Sequence, residues 1–214
     1  MTDRLNKIYS EIPDCEVFAD IGCDHGYIAK AMLDNGKCRR VIVSDISEKC
    51  LDKALTLLSD YISLNLAIGV VSNGFEKLPA CDVALIAGMG GREIISIMKH
   101  AKSLPDTLIL QPMKNVSDVR RFVVESGYKI RLDKMFKSQE KFYELLVISK
   151  GVDRLTDDEI EFGRTNLSEA NADFIEFIRK NIEKLSSYAE NPVMGEEQRQ
   201  EMKEKIERLK KCLR

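Results

Sequence analysis

The sequence predicts an α/β fold, in which a mostly parallel sheet carries helices on both faces and ends in an antiparallel hairpin. Short apolar runs alternate with segments of helical periodicity as far as residue 148, which is typical of a doubly wound sheet. The last two runs, 128–132 and 141–148, are joined by a short polar link, and this favours a hairpin at one edge of the sheet. After Gly151 the apolar residues recur only at helical spacing, so a small helical unit is predicted there.

The elements of the sheet domain follow from apolar spacing and from helix breakers. Leu5, Ile8, Tyr9 and Ile12 predict a first helix, which Pro13 ends. Each later strand is predicted from an apolar run, and each later helix from apolar residues three or four positions apart. The predicted strands are 17–20, 41–45, 66–71, 82–87 and 107–110, and the predicted helices between them are 28–33, 47–63, 92–101 and 116–125.

The C-terminal segment is predicted to be a helical hairpin. Thr156 and Glu159 have the spacing of a capping box at a helix start. Two sets of apolar residues at helical spacing follow, with a break from Asn191 to Gly195 between them. These sets are Phe174, Ile178, Ile182 and Leu185, and then Met202, Ile206, Leu209 and Leu213. We therefore predict a sheet domain over residues 1–151 and a helical domain over residues 152–214.

Composition excludes several classes of protein. The 214 residues are 44% hydrophobic, which is enough for one sizeable core, and no apolar run approaches the ~20 residues of a membrane helix. The first twelve residues fit an amphipathic helix rather than a signal peptide. Six cysteines without a Cys-x-x-Cys pair, and only two histidines, argue against zinc, a disulfide framework and a multi-histidine metal centre. We therefore expect a soluble, cytoplasmic protein with reduced thiols and no bound metal.

The most informative stretch is the glycine turn after the first predicted strand, DIGCDHGY at residues 20–27. Gly22 and Gly26 leave room for a tight turn and for a ligand close to the backbone, and the next helix presents free N–H groups. The spacing differs from the Gly-x-Gly-x-x-Gly of dinucleotide sites, and Asp20 and Asp24 would repel a pyrophosphate. A cationic or zwitterionic ligand such as S-adenosylmethionine fits better. The turn alone is also compatible with a protein that binds nothing there.

The ends of the next three strands add candidates for the same crevice, because parallel strands place their carboxyl ends at one edge of the sheet. Asp45 would accept hydrogen bonds from both ribose hydroxyls, although it could instead cap the helix that begins near Ser47. Asn73 would contact the adenine ring. The glycines of residues 88–91 either approach the reactive end of the ligand or form only a tight turn. The predicted cofactor-binding residues are Asp20, Gly22, Gly26, Asp45, Ile46, Asn73, Gly74, Gly88, Met89 and Gly90.

Four motifs stand out together: DIGCDHGY at residues 20–27, IAGMGG at 86–91, LILQP at 108–112 and KFYE at 141–144. With Glu161-Phe162-Gly163 and the helices after it, they resemble the bacterial tRNA (adenine(22)-N(1))-methyltransferases. These are class I methyltransferases with a C-terminal coiled-coil domain, and the resemblance covers nearly the whole chain. The chain departs from that family's usual pattern at three places, namely Asn73-Gly74 for an Asp-Gly pair, Met113 for Asn, and Gln139-Glu140 for an acidic-glycine pair.

The resemblance implies transfer of a methyl group from S-adenosylmethionine to N1 of an adenine in the D-arm region of tRNA, with S-adenosylhomocysteine as the second product. N1 of neutral adenine carries a free lone pair, so the site should supply alignment and a negative field rather than a strong base. The base also has to be splayed out of the folded RNA. The residues expected to act on it are Asp24, His25, Tyr27 and Gln111, although His25 could instead be a surface histidine at a helix start.

The charge of the chain does not decide between a small-molecule partner and a nucleic acid. The net charge of −2 alone favours a small molecule, but the stretch from Lys114 to Lys141 holds eight basic and four acidic residues. This basic stretch and the lysine-rich last helix are candidate tRNA contacts, or else solvated surfaces. Within KFYE, we expect Lys141 to contact phosphate and Tyr143 to pack in the core. We also expect a monomer or a weak dimer. Two alternatives remain open: a methyltransferase for a different RNA or small molecule, and a non-catalytic cofactor-binding module.

Overall fold

The structure, a computed structural model, describes residues 1–190 and 195–213. Over this part of the chain one seven-stranded sheet forms the centre, with strand order β3-β2-β1-β4-β5-β7-β6. Strands β3, β2, β1, β4 and β5 run parallel to one another, and β7 is antiparallel to both β5 and β6. The strands are β1 Cys15–Ile21, β2 Cys38–Asp45, β3 Ala67–Val71, β4 Val83–Met89, β5 Thr107–Pro112, β6 Tyr128–Ser138 and β7 Lys141–Lys150. The predicted sheet and its terminal hairpin are therefore confirmed.

Helices cover both faces of this sheet. Helices α1, α2 and α3 bury Ile8, Met32 and Leu51 against one face, and α5 and α6 bury Ile94 and Val123 against the other. The helices are α1 Asp3–Ser10, α2 Tyr27–Asp34, α3 Glu48–Leu57, α4 Ser59–Ser63, α5 Gly91–Lys99, α6 Val116–Glu125, α7 Asp157–Phe162, α8 Arg164–Glu169, α9 Ala172–Ala189 and α10 Glu196–Lys211. None of the helices in the described part of the chain is both long and apolar enough to cross a membrane.

Four backbone N–H groups along the outer edge of β6 donate to side chains of the C-terminal segment instead of to another strand. The first is Ile130 N, which donates to Asp153 Oδ2 at 3.0 Å. Asp133 N donates to Thr165 Oγ1 at 2.9 Å, and Met135 N donates to Asn166 Oδ1 at 2.7 Å. Lys137 N donates to Asp173 Oδ2 at 2.9 Å. An exposed sheet edge invites pairing with another chain, so these bonds both protect the edge and dock α8 and α9 on it. Whether residues 152–214 form a separate domain stays a prediction.

A buried ionic group, which we call the Arg120 cluster (Arg120, Asp133 and Glu144), ties α6 to the hairpin. Arg120 is fully buried; its Nε and Nη2 donate to Asp133 at 2.7 and 2.9 Å, and Nη2 also donates to Glu144. Its Nη1 donates to the carbonyl oxygens of Ile160 and Glu161 in α7. Burial alone would lower the pKa of Arg120, but the carboxylates of Glu144 and Asp133 raise it overall.

Three element predictions need adjustment. The helix predicted over 47–63 is two helices, because the backbone leaves helical geometry at the buried Leu58. Strand β6 continues past residue 132 to Ser138, and the inward-facing Asp133 is the acid that hid this continuation in the sequence. The predicted break lies mostly on residues 191–194, outside the described residues, and α10 begins at Glu196.

Candidate functional site

A cavity of about 490 Å³ lies at the carboxyl ends of β1, β2 and β4, where α1 and α2 begin. It brings together most of the predicted site residues. Those that line it are Asp20, Gly22, Asp24, His25, Tyr27, Asp45, Ile46, Asn73, Gly74, Gly88 and Met89. Gly26, Gly90 and Gln111 do not line it. The carboxyl ends of the parallel strands therefore bring most of these residues into one pocket, and their contacts with a ligand stay predictions.

The glycine turn is fixed to β2 by its own backbone. Gly22 N and Cys23 N both donate to the carbonyl oxygen of Ser44, at 2.8 and 3.1 Å. Gly22 has φ +70°, and a Cβ built on it would lie 2.0 Å from Met89 Cε. The side chain of Met89 therefore packs directly over Gly22, and only glycine leaves this space clear.

Gly26 has a packing role. It is the residue before α2, with φ +70°, and a Cβ on it would lie 2.9 Å from Ala54 Cβ. Its small size lets the start of α2 approach α3 closely, which positions the helix behind the pocket. Glycine is therefore needed at position 26 for helix packing, and its predicted contact with the cofactor stays a prediction.

Asp20 is a buried carboxylate in the pocket, with only 6% of its surface exposed. Burial raises its pKa to about 7; the backbone N–H of Ala29 opposes this rise and the nearby carboxylate of Asp45 adds to it. No cation from the described residues enters this balance. The pocket therefore holds an acid that lacks an internal counter-ion. Burial also raises the pKa of the neighbouring Cys23 thiol, with Asp20 adding to the effect, so Cys23 stays protonated.

Asp45 stabilises the turn before α3 but does not cap this helix, because Ser47 holds the capping position. Its Oδ1 accepts a hydrogen bond from Ser47 N at 2.8 Å, and Ser47 Oγ in turn accepts from Cys50 N at the start of α3. One carboxylate oxygen is thus used by the turn, which fixes the orientation of the other in the pocket wall. The ribose contact stays a prediction.

Asp24, His25 and Tyr27 form the mouth of the pocket. The rings of His25 and Tyr27 stack with centroids 5.3 Å apart and planes 15° apart, and Tyr27 is 45% exposed. Asp24 accepts from Lys53 Nζ at 2.9 Å, and its other oxygen lies 3.7 Å from His25 Nε2. An exposed pair of flat rings beside a carboxylate is suited to holding a planar base.

The four residues of the second glycine motif divide between two roles. Gly88, with φ +79°, and Met89 line the pocket where β4 ends in an irregular register. Gly90 is the residue before α5, and a Cβ on Gly91 would lie 2.6 Å from the carbonyl oxygen of Lys114. The first half of the motif therefore lines the pocket, and the second half packs against the loop after β5.

Asn73 and Gly74 lie at the far wall, after β3. Ser72 Oγ donates to Gly74 O at 2.9 Å and accepts from Lys77 N at 3.2 Å, which closes the turn. Asn73 is exposed, and its Nδ2 donates to Glu76 Oε1 at 2.9 Å. Its side-chain oxygen takes no part in that bond. A contact with adenine stays a prediction.

Gln111 is fully buried behind the pocket wall. Its Oε1 accepts from Arg4 Nη1 at 3.0 Å and its Nε2 donates to Pro112 O at 3.1 Å. Both ends of the amide are therefore occupied within the protein, so Gln111 does not present itself to a base in this structure. Arg4 lines the pocket in its place.

Several residues that line the pocket were not predicted from the sequence to be site residues. Arg4 and Leu5 come from α1, and Glu93 and Ile97 come from α5. Arg4 meets a partner 107 positions away, and no local motif marks such a pair. The amphipathic pattern of α1 could have placed the helix, but not the end of the sheet that it crosses.

The basic stretch is not one surface. Arg120 is fully buried in the Arg120 cluster, so it is not an RNA contact; its charge is used to satisfy two internal carboxylates. Lys134 pairs with Glu11, and Lys137 pairs with Glu140 and Glu176. The exposed basic residues of this stretch are Lys114, Arg121, Arg131 and Lys141.

Fold and pocket together define a class I methyltransferase. The parallel half-sheets meet at β1 and β4, the antiparallel β7 inserts between β5 and β6, and the pocket lies at the carboxyl edge. Within that class, the chain belongs to the tRNA (adenine(22)-N(1))-methyltransferase family, whose model matches residues 18–211.

Individual relatives agree with this assignment. The chain is 30% identical to the tRNA (adenine(22)-N(1))-methyltransferase of Bacillus subtilis over 71% of this chain and 66% of that protein. It is 31% identical to a candidate tRNA methyltransferase of Mycoplasma pneumoniae over 63% of this chain and 64% of that protein. The matches thus span slightly less than two thirds of these relatives' length.

Solved structures match the whole chain. A Streptococcus pneumoniae protein described as a candidate tRNA (m1A22) methyltransferase superposes with a TM-score of 0.92, at 26% identity and with 100% of both chains covered. The same S. pneumoniae protein in complex with S-adenosyl-L-methionine superposes with a TM-score of 0.89, again over 100% of both chains. The likeness includes the C-terminal helices as well as the sheet.

Proposed function

We propose that the protein transfers a methyl group from S-adenosylmethionine to N1 of an adenine in tRNA, at position 22 in the D-arm region. The observation that carries this proposal is one pocket with two unlike ends. Two carboxylates, Asp20 and Asp45, line its interior, and the stacked rings of His25 and Tyr27 stand at its mouth. The first end suits a nucleoside that carries a positive charge, and the second suits a planar base. Family membership supplies the acceptor.

The residues of the pocket fit this cofactor. The cavity volume of about 490 Å³ is within the range of small-molecule sites. A Cβ on Gly22 would collide with Met89, so glycine at this position lets Met89 pack against the turn in the pocket wall. Asp45 would accept the ribose hydroxyls with the carboxylate oxygen that Ser47 N leaves available, and Asn73 would meet the adenine ring. When bound, the cofactor supplies an electrophilic methyl group next to a cationic sulfur and an ammonium group.

Asp20 would provide the negative field of the site. Burial raises its pKa to about 7, and a cation bound nearby would lower this pKa and favour the ionised form. Since the methylated adenine ring is cationic, a carboxylate held in a low-dielectric pocket stabilises the charge that develops on it. No residue has to remove a proton from N1, because the neutral base offers its lone pair directly.

His25 and Tyr27 would hold the splayed-out base, and Asp24 would orient His25. Stacking on an aromatic side chain is a general way to hold an unpaired base, and it contributes about 1–3 kcal/mol per base. Gln111 acts indirectly in this arrangement, since both ends of its amide are bonded within the protein. We assign it the role of fixing Arg4.

Exposed basic residues near the pocket would bind tRNA phosphates. Lys114 and Lys141 belong to the exposed part of the basic stretch, and the lysines of α10 extend the charge onto the C-terminal helices. We propose that the protein works on tRNA in the cytoplasm, as a monomer or a weak dimer.

Nucleoside mass spectrometry tests the proposal directly. Purified protein is incubated with labelled S-adenosylmethionine and with unmodified tRNA, once with adenine at position 22 and once with guanine there. We expect N1-methyladenosine in the first tRNA and none in the second. Methylation of both transcripts would overturn the position, and a different methylated base would overturn the acceptor atom.

One observation favours a second candidate, a methyltransferase with another acceptor. Met113, which stands where the family usually has Asn, is 49% exposed, and its sulfur accepts from Arg4 and Gln111 at 3.8 and 3.5 Å. A polar contact expected on the acceptor side is thus replaced by a thioether. Salt separates the two functions: affinity for tRNA falls steeply as salt rises, whereas affinity for a neutral small acceptor does not.

A further inference from the structure

Arg4 is a half-buried cation at the end of the pocket where Gly88 and Met89 lie. Its Nη1 donates to Gln111 Oε1 at 3.0 Å, and its Cζ lies 5.6 Å from the centroid of the Tyr143 ring. A Cβ built on Gly88 would lie 3.6 Å from Nη1 and 3.8 Å from Nη2. The guanidinium is therefore held on three sides by an amide, an aromatic face and bare backbone.

All of these partners are neutral. Over residues 1–190 and 195–213, no carboxylate lies within ion-pair distance of Arg4, and its hydrogen bonds come from Nη1 alone. The Nε and Nη2 donors and the whole positive charge remain for a ligand. An arginine that serves the fold is paired with carboxylates, as Arg120 is with Asp133 and Glu144. A positioned, unneutralised guanidinium is suited to bind an anionic oxygen group in the two-pronged geometry that lysine lacks.

The chemistry of the reaction limits which groups Arg4 could bind. The methylated adenine is itself positive, so a guanidinium close to it does not stabilise the reacting ring. Two anionic groups would meet at this end of the pocket: the carboxylate of the cofactor's amino-acid part, and a phosphate of the acceptor nucleotide. Both present two oxygens to a planar fork of N–H donors.

Building on the function proposed above, we propose that Arg4 binds an anionic oxygen group at the reactive end of the pocket, with Gln111 and the ring of Tyr143 as its support. The bound group is either the carboxylate of the cofactor or a phosphate beside the target adenosine. Arg4 thus becomes a substrate-binding residue, and Gln111 a positioning residue that acts through it.

Calorimetry tests the carboxylate source. The titrants are S-adenosylhomocysteine and 5′-methylthioadenosine, which lacks the amino-acid part. If Arg4 holds the carboxylate, Arg4→Gln weakens S-adenosylhomocysteine binding by about tenfold to a hundredfold and leaves 5′-methylthioadenosine binding unchanged. Arg4→Lys should recover only part of the loss, because a point charge replaces the fork.

The salt dependence of tRNA binding tests the phosphate source. If Arg4 contacts a phosphate, Arg4→Gln lowers the slope of log Kd against log salt concentration by about 0.7 to 0.9, and Arg4→Lys keeps the slope. Arg39→Gln is the matched control, because Arg39 is an exposed arginine at the opposite, amino-terminal end of β2, 3.9 Å from Glu16.

The proposal is overturned if Arg4→Gln and Arg4→Lys both match the Arg39→Gln control in S-adenosylhomocysteine affinity and in tRNA salt slope. A fall in kcat alone would then assign Arg4 to packing around Gln111. If Arg4→Gln does not fold, the partial loss of affinity in Arg4→Lys decides, measured for S-adenosylhomocysteine and for tRNA. Failure of the proposed function is distinguishable, since wild-type protein would then form no N1-methyladenosine while the calorimetric test of Arg4 still applies.

Discussion

Carboxylates are buried in two places within the described part of the chain, and the two places differ in what surrounds them. Asp133 and Glu144 lie around the guanidinium of Arg120, which also donates to two carbonyl oxygens of α7. Asp20 lies in the pocket, and no cation of the described residues offsets its burial, so its pKa rises to about 7. The first group is satisfied by the fold itself. The second has no counter-ion in the fold, and the proposed function assigns that role to the positively charged cofactor.

The Arg120 cluster should give the largest effect on stability. Arg120→Met leaves the buried Asp133 and the largely buried Glu144 without their cation, so we expect the free energy of unfolding to fall by about 3–5 kcal/mol. Urea denaturation followed by circular dichroism measures it. Arg121→Gln, the exposed neighbour on the same helix, should stay within about 0.5 kcal/mol of wild type. Equal urea midpoints for the two variants would show that the cluster is not a structural tie.

Replacing Asp20 should have the opposite effect on stability, because Asp20→Asn removes a buried acid that has no counter-ion in the fold. Because its folded-state pKa of about 7 lies above the usual ~3.9, the folded protein holds a proton that the unfolded chain has lost between these values. The stability from Asp20 is therefore full below about pH 4 and is lost as pH rises through about 7. Asp20→Asn should be more stable than wild type at pH 8, by on the order of 1 to 4 kcal/mol, and similar at pH 4.

The same variant should bind the cofactor less well. Removal of the negative charge is expected to weaken S-adenosylmethionine binding by about tenfold to a hundredfold. Calorimetry at pH 8 and thermal unfolding at pH 4 and pH 8 measure the two effects on one preparation. A variant that is less stable than wild type at pH 8 would mean that Asp20 serves the fold, and the contrast with the Arg120 cluster would be lost.

The two regions also differed in how far the sequence predicted them. The pocket was predictable because each strand that feeds it is a continuous apolar run ending in a marked residue, such as Asp20, Asp45 or Gly88. Parallel strands then bring those ends together without further information. The Arg120 cluster joins positions 120, 133 and 144, and an inward-facing acid in β6 interrupts the apolar alternation that marks a strand.

Arg4 and Gln111 show the same limit inside the pocket. Gln111 stands at the end of β5, where a side chain should face the crevice, but α1 crosses that end and Arg4 covers it. The position of α1 is a tertiary fact that apolar periodicity does not encode. Local patterns thus placed the backbone of the site, whereas contacts between distant segments decided which side chain is presented.

Replacing Gly22 or Gly36 should have a smaller effect on stability, and comparing the two variants separates backbone strain from cofactor binding. Both have positive φ, +70° and +65°, so alanine at either should cost about 1–2 kcal/mol of stability through backbone strain. They differ in surroundings: a Cβ on Gly22 would lie 2.0 Å from Met89 Cε, whereas nothing lies within 4 Å of one on Gly36. Only Gly22→Ala should then weaken cofactor binding, by at least about tenfold. Equal cofactor affinities by calorimetry would show that Met89 moves aside freely.

The smallest expected effect concerns two exposed ion pairs. Lys53 pairs with Asp24 at 2.9 Å, and Lys30 pairs with Asp34 at 2.7 Å. Since exposed pairs are largely screened, Lys53→Gln and Lys30→Gln should each change the free energy of unfolding by less than about 0.5 kcal/mol in urea denaturation. Their consequences for turnover should differ, because Asp24 stands beside His25 at the mouth of the pocket, and Asp34 is at the far end of α2.

We therefore expect Lys53→Gln to lower kcat/KM on tRNA about two- to fivefold, which corresponds to about 0.4–1 kcal/mol, while Lys30→Gln leaves it unchanged. Raising the salt concentration should shrink the difference, since the pair that orients Asp24 is exposed and is screened by ions. Identical kcat/KM values at low salt would show that Lys53 has no role in turnover and that Asp24 does not need this ion pair. A difference that persists at high salt would instead mean that Lys53 acts through packing and not through its charge.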